Sequence, residues 1–237
     1  MALECLRAMK TYMASIMVTC MCVLQFHIIA RGDDVCHLKL KQLEPHPTYD
    51  FALLLMVTWS KSIIDERQCP PQILLGALDP AFCVLLHLSL HVENWIARGN
   101  ACAGKEGAFL FTADSDEIRG PANMNKTYRN VMKKVYQCAE FVAISALVGG
   151  KLGIHSLRKF AATFARAMGM HSEDVDVRGR WKTKSGGGNS NKVVDPCYIS
   201  PDQLFVDANV TATLCLGSPM LTGRVPKRLS GCRMSGC

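Results

Sequence analysis

The spacing at which apolar side chains return constrains this chain more than any other feature. After Asp79-Pro80, an N-cap followed by proline at the first helical position, Leu85, Leu88, Val92, Trp95 and Ile96 keep helical spacing until Gly99. Leu157, Phe160, Ala161, Phe164 and Met168 form a second such stripe over residues 156–168. Further helices are predicted over residues 1–30, 123–141, 172–178 and 202–216. The pattern changes between residues 35 and 68. There the apolar run 51–59, set off by Pro45, His46 and Pro47, has the length and flanks of a buried strand. Residues 35–43 and 63–68 supply its candidate partners. The expectation is an α+β fold, mainly α-helical, with a small antiparallel sheet near the N-terminal third. A chain of 237 residues, 49% of them apolar, can bury a core of that kind.

Composition removes several other classes. Residues 12–30 are apolar enough to suggest a membrane span, but Gln25 and His27 interrupt them and no small-residue cleavage site follows, so a buried core helix is expected. Twelve cysteines include no Cys-x-x-Cys pair. Cys20, Cys22, Cys83, Cys138 and Cys215 stand within apolar runs, where free cysteine serves as a small hydrophobe, so a reduced intracellular protein is expected. His27, His37, His46, His87, His91 and His171 show no ligand spacing. No metal and no other cofactor is expected. The net charge is +7, and residues 151–198 hold nine Lys/Arg against four acids. A surplus of that sign attracts polyanions, because neutralised phosphates release counterions.

The segment richest in chemistry is GIHSLRKFAATFARAMGMHSEDVDVRGRWK, residues 153–182, followed by VVDPCYIS, residues 193–200. His155 and Arg158 are three apart at a helix start and can face one site. Trp181 follows Arg158 by 23 positions, and Tyr198 comes 17 later. This order resembles the His-x-x-Arg, His/Trp, Tyr pattern of the tyrosine recombinase (phage integrase) family. The wording HSLRKFAATFARAMG, DVRGRWK and VDANVTATLCLG is most similar to the recombinases of eukaryotic Crypton-type mobile elements. Upstream, Arg31-Gly32-Asp33-Asp34 resembles the family's first arginine with an acidic residue three positions on. Trp59-Ser60-Lys61 resembles the strand end that carries its lysine, and DERQCPPQILLGALDPAFCVLL also reads like the Crypton group.

The resemblance implies a catalytic domain over residues 1–216 with a basic tail at 217–237. The helical DNA-clamping domain that usually precedes it is missing or truncated, since only about 30 residues stand before Arg31. It further implies cleavage and rejoining of double-stranded DNA, with the protein working as a homo-multimer on DNA, in the nucleus, without a membrane or a small-molecule substrate. Arg31 and Arg158 would grip the phosphate in forked, charge-assisted hydrogen bonds. His155 would assist proton transfer, and Trp181 would pack the site and offer its indole N–H. Tyr198 would attack through its phenolic oxygen to give a 3′-phosphotyrosine, and Lys61 would protonate the departing 5′ oxygen. Arg129, Lys133, Lys151, Lys159, Arg178, Arg180 and Lys182 are the candidate contacts to the DNA backbone. The long gap before Tyr198 contains SGGGNSN, a flexible loop that could reach the chain's own site or a neighbour's. Three other readings stay open: a DNA-binding relic of such an enzyme, a type IB topoisomerase-like enzyme, and a membrane-anchored protein.

Overall fold

Helix α1 (Tyr12–His27) begins where the Thr11 hydroxyl accepts the Ala14 N–H at 3.2 Å. In the computed structural model, which describes residues 11–60, 71–97, 107–112, 116, 118–147, 149–181 and 201–215 (side chains of 201–205 aside), this helix is the centre of the core. It is buried over most of its second half, as a helix apolar on every face must be. At 1.5 Å per residue it spans about 24 Å, short of a bilayer's hydrocarbon. No helix among the described residues is long and apolar enough to cross a membrane. Its two polar interruptions have partners. Gln25 donates to the Ile154 carbonyl at 2.8 Å and accepts from the Tyr128 hydroxyl at 2.6 Å, while His27 Nε2 meets the Phe82 carbonyl at 2.7 Å.

The chain leaves α1 through Ile29, whose φ of +48° puts a β-branched residue in the left-handed region. Helix α2 (Gly32–Cys36) follows at once, then a 3-10 turn (Leu40–Gln42) and strand β1 (Leu43–Pro45). The expected strand over 35–43 is thus mostly helical: only Leu43 joins the sheet, and Lys39 makes an isolated antiparallel bridge to Phe109. Strand β2 (Ala52–Leu55) runs antiparallel to β1, with Leu43 opposite Leu55 and Pro45 opposite Leu53. Pro45 is tolerated because β1 is an edge strand. Strand β3 (Gln72–Leu75) completes the sheet in the order β1-β2-β3, pairing Ala52 with Leu75. The third strand is therefore formed by 72–75, while the predicted 63–68 lies outside the described residues.

Helix α3 (Val84–Ala97) starts later than its sequence signal, because Asp79 spends its carboxylate on the Ala81 N–H at 2.9 Å and closes a turn first. The single helix expected over 123–141 is two: α4 (Arg119–Val135) and α5 (Ala139–Leu147). Between them, Gln137 and Cys138 bond back to Lys134 and Val135, three-residue steps that tighten and end a helix. Helix α6 (Ser156–Ala167) packs Ala161, Ala162 and Ala165 with Phe26 and Ile29, small side chains that let it approach α1 closely. Helix α7 (Ser172–Arg178) coincides with its expected range. Helix α8 (Pro201–Leu214) lies along β3, where Asp207 accepts the Ile73 N–H at 2.6 Å and the Thr211 hydroxyl donates to the Ile73 carbonyl at 2.8 Å. A strand edge that would otherwise offer unpaired backbone is thereby covered. The fold is mainly helical with one small antiparallel sheet, the class expected from the sequence.

Candidate functional site

Three separate segments converge at the N-terminus of α6: residues 31–34, the first turn of α6 itself, and residues 179–181. Arg31 stands at the N-cap of α2 and its backbone N–H donates to Asp34 Oδ2 at 3.0 Å. The Asp34 side chain has no solvent exposure, and two guanidinium groups approach the same oxygen: Arg180 Nη2 at 3.4 Å and Arg158 Nη1 at 3.9 Å. Arg158 is buried one turn into α6, and its Nη2 donates to the Gly179 carbonyl. The guanidinium lies 4.5 Å from the centre of the Trp181 ring, a cation–π stack. Burial, and after it the Arg180 charge, lowers the Arg158 pKa to about 10, with Asp34 opposing; the group stays charged at neutral pH.

Local sequence explains how this cluster is delivered. Gly32 packs where a Cβ would run into Ile154 and crowd Tyr128, so α2 can press against the residue preceding His155. Gly179 lies under the Trp181 ring, and a Cβ there would overlap it. Both non-glycine residues of positive φ among the described residues, Ile29 and Arg180 (φ +55°), flank the cluster. Backbone in that region costs a side-chain-bearing residue roughly 1–3 kcal/mol and persists where the surroundings hold it. His155 is exposed at the start of α6 and makes no side-chain cap; Ser156 Oγ takes the Gly153 N–H instead, at 2.9 Å. Partial burial and the surrounding charges of Arg129, Arg31, Arg158 and Lys159 lower its pKa, which favours the neutral imidazole.

The expected residues divide into three groups. Arg31, His155, Arg158 and Trp181 come together. Arg129, Lys133, Lys151 and Lys159 are exposed nearby, the first three lining one cleft with residues 149–154. Arg129 is set by a relay from α2: Asp33 Oδ1 accepts from Asn125 at 2.8 Å, and Asn125 Oδ1 accepts Arg129 Nε at 3.2 Å. Lys61, Lys182 and Tyr198 lie outside the described residues. The strand expected over 51–59 ends at Leu55, and beyond it the Trp59 ring stacks 3.4 Å from the His37 ring at the C-terminus of α2.

Two assignments are corrected. Arg178 is not a backbone contact for DNA: it is 1% exposed and donates to the His27 carbonyl at 2.8 Å, the Ile73 carbonyl at 3.0 Å and the Asp207 carboxylate. It ties α7 to α1, β3 and α8. Arg180 likewise points inward, its side chain 6% exposed and directed at Asp34 rather than along an open face. Asp34 itself was legible only as an accompaniment to Arg31; its role as the carboxylate shared by three arginines depends on folding. Among the described residues, no group of His, Cys, Asp and Glu could hold a metal ion. Comparison with protein-family models, with curated proteins and with solved structures finds no match to this chain.

Proposed function

We propose that this chain cuts and rejoins double-stranded DNA through a covalent 3′-phosphotyrosine, as a tyrosine recombinase acting on a mobile element. The observation that supports this most is the gathering of Arg31, Arg158 and Arg180 around one buried carboxylate, with His155 at its edge. Two guanidinium groups against one carboxylate, with the Arg31 charge also acting on Arg158, leave a positive surplus in a partly desolvated place, where a phosphodiester's developing charge gains most. The Tyr198 phenolic oxygen would form the bond to phosphorus as the 5′ oxygen leaves, and Lys61 would supply that oxygen's proton. Exposed Arg129, Lys133, Lys151 and Lys159 would hold the flanking backbone, and the working form would be a multimer on paired sites.

The test is covalent trapping. Wild-type protein and Tyr198→Phe are incubated in EDTA with labelled DNA nicked beside candidate sites, then run on denaturing gels. A slow-migrating protein–DNA band from wild type alone is the expected result. Binding by both proteins with no band from either would replace this reading with that of a DNA-binding relic. Arg158→Ala should lower the amount trapped by roughly 10²–10³-fold, the usual loss for a donor to a transition-state oxygen.

A further inference from the structure

Arg180 is a left-handed residue carrying a long side chain, and that side chain is spent inward. Its φ of +55° is one that glycine adopts freely and other residues rarely do. Its guanidinium is nonetheless buried against Asp34 at 3.4 Å, nearer than Arg158 at 3.9 Å, on the same carboxylate oxygen. Asp34 has a second oxygen, Oδ1, that is buried and accepts no hydrogen bond among the described residues. A buried carboxylate with spare acceptor capacity is a strong competitor for any guanidinium within reach. Arg158 is within reach, with Nη2 on Gly179 and its plane held over Trp181.

We propose that Arg180 is a positioning residue which occupies Asp34 as its resident counter-ion, and so keeps the Arg158 fork available to a phosphate. This rests on the phosphate-handling reading given above. Without the Arg180 charge, Arg158 is drawn fully onto Asp34 in a two-pronged pair, and an incoming phosphate has to displace a carboxylate. The charge of Arg180 also bears on Arg158 directly, being the largest electrostatic influence on it after burial. The arrangement predicts a specific rescue. Neutralising Asp34 in a chain that lacks the Arg180 charge removes the competitor and frees Arg158 again.

Binding of inorganic phosphate, followed by calorimetry, tests this without requiring turnover. Arg180→Gly removes the side chain and suits the backbone; Arg180→Gln removes the charge while keeping much of the bulk. Each should bind phosphate about tenfold more weakly than wild type, the loss that goes with one charge-assisted contact. Adding Asp34→Asn, which keeps an oxygen for the Arg31 N–H, should restore affinity to within about threefold of wild type. Unchanged affinity in both single variants, or no recovery in the double variants, would overturn the role. So would a wild-type protein that binds no phosphate. If Arg180→Gly does not fold, Arg180→Gln with and without Asp34→Asn decides the matter. Trapping on nicked DNA separates the two ideas. Wild type that yields no covalent band but follows the phosphate order sinks strand transfer alone. A wild-type band undiminished in Arg180→Gln sinks the role of Arg180 alone.

Discussion

Arg158 and Arg178 are the same residue type twenty positions apart, and burial gives them opposite work. Arg178 has spent its donors on the His27 and Ile73 carbonyls and on Asp207, which leaves nothing to offer a ligand. Truncating it leaves the Asp207 carboxylate without its counter-ion and the His27 carbonyl without that donor, so Arg178→Ala should lose about 3–5 kcal/mol in urea unfolding. Arg158→Ala should cost less stability and more trapped product, because part of its fork faces the cluster. Gly179 has an equally local consequence. Gly179→Ala drives a methyl group into the Trp181 ring, and overpacking of that kind costs about 1–3 kcal/mol. A thermal melt should record that loss, together with weaker phosphate binding as Trp181 moves away from Arg158. Neither glycine nor arginine announces such a role in the sequence, since each depends on an atom brought from elsewhere in the chain.

At the scale of elements, α1 is a buried rod whose polar residues bolt it to its neighbours. His27 is the one with a measurable pH signature. Burial pulls its pKa from 6.5 to about 4, with the charge of Arg178 adding to the effect and the Phe82 carbonyl opposing it. The unfolded chain therefore binds a proton that the folded chain refuses anywhere between those two values, and stability rises with pH across that window. Unfolding free energy should be level above about pH 6.5 and fall as pH drops toward 4, by about 3 kcal/mol from His27 in full, a loss that urea unfolding over that pH range measures. His87 and His91, also lowered by burial, act in the same direction. His27→Gln, which keeps a donor for the Phe82 carbonyl, should flatten part of that slope; an unchanged slope would assign it elsewhere. Sequence was enough to place α6 and α7, though not the start of α3 or the break between α4 and α5. Seven residues of α7 and all but one of the thirteen expected for α6 match, because the 3.6-residue stripe is written locally. The strands matched less well: residues 35–36 are recruited into α2, whose first turn is fixed by Asp34 reaching back to Arg31.

Across the whole molecule, the basic surplus of residues 151–198 is not one face. Folding sends Arg178 and Arg180 inside and leaves Lys151 and Lys159 outside, where they join Arg129 and Lys133 from α4. This redistribution predicts a salt dependence. If these exposed groups meet DNA phosphates, each substitution among Arg129→Ala, Lys133→Ala, Lys151→Ala and Lys159→Ala should reduce the slope of log affinity against log salt by about 0.9. Fluorescence anisotropy over a range of NaCl measures it. A slope indifferent to all four would place the DNA, or any other polyanion, on a different surface.

What the sequence determined by itself was therefore the local part: helical stripes, a sheet confined to the N-terminal third, and the His155, Arg158, Trp181 and Tyr198 order that carries the resemblance. Tertiary structure decided which charges are spent and which are free. Three arginines meet at Asp34 because Gly32 lets α2 press against residue 154 and Gly179 admits the Trp181 ring, while left-handed turns at Ile29 and Arg180 aim the chain. Apolar periodicity is a property of neighbours along the chain, whereas the partner of a buried charge is chosen across it, by whatever acceptor the packed helices bring within hydrogen-bond reach.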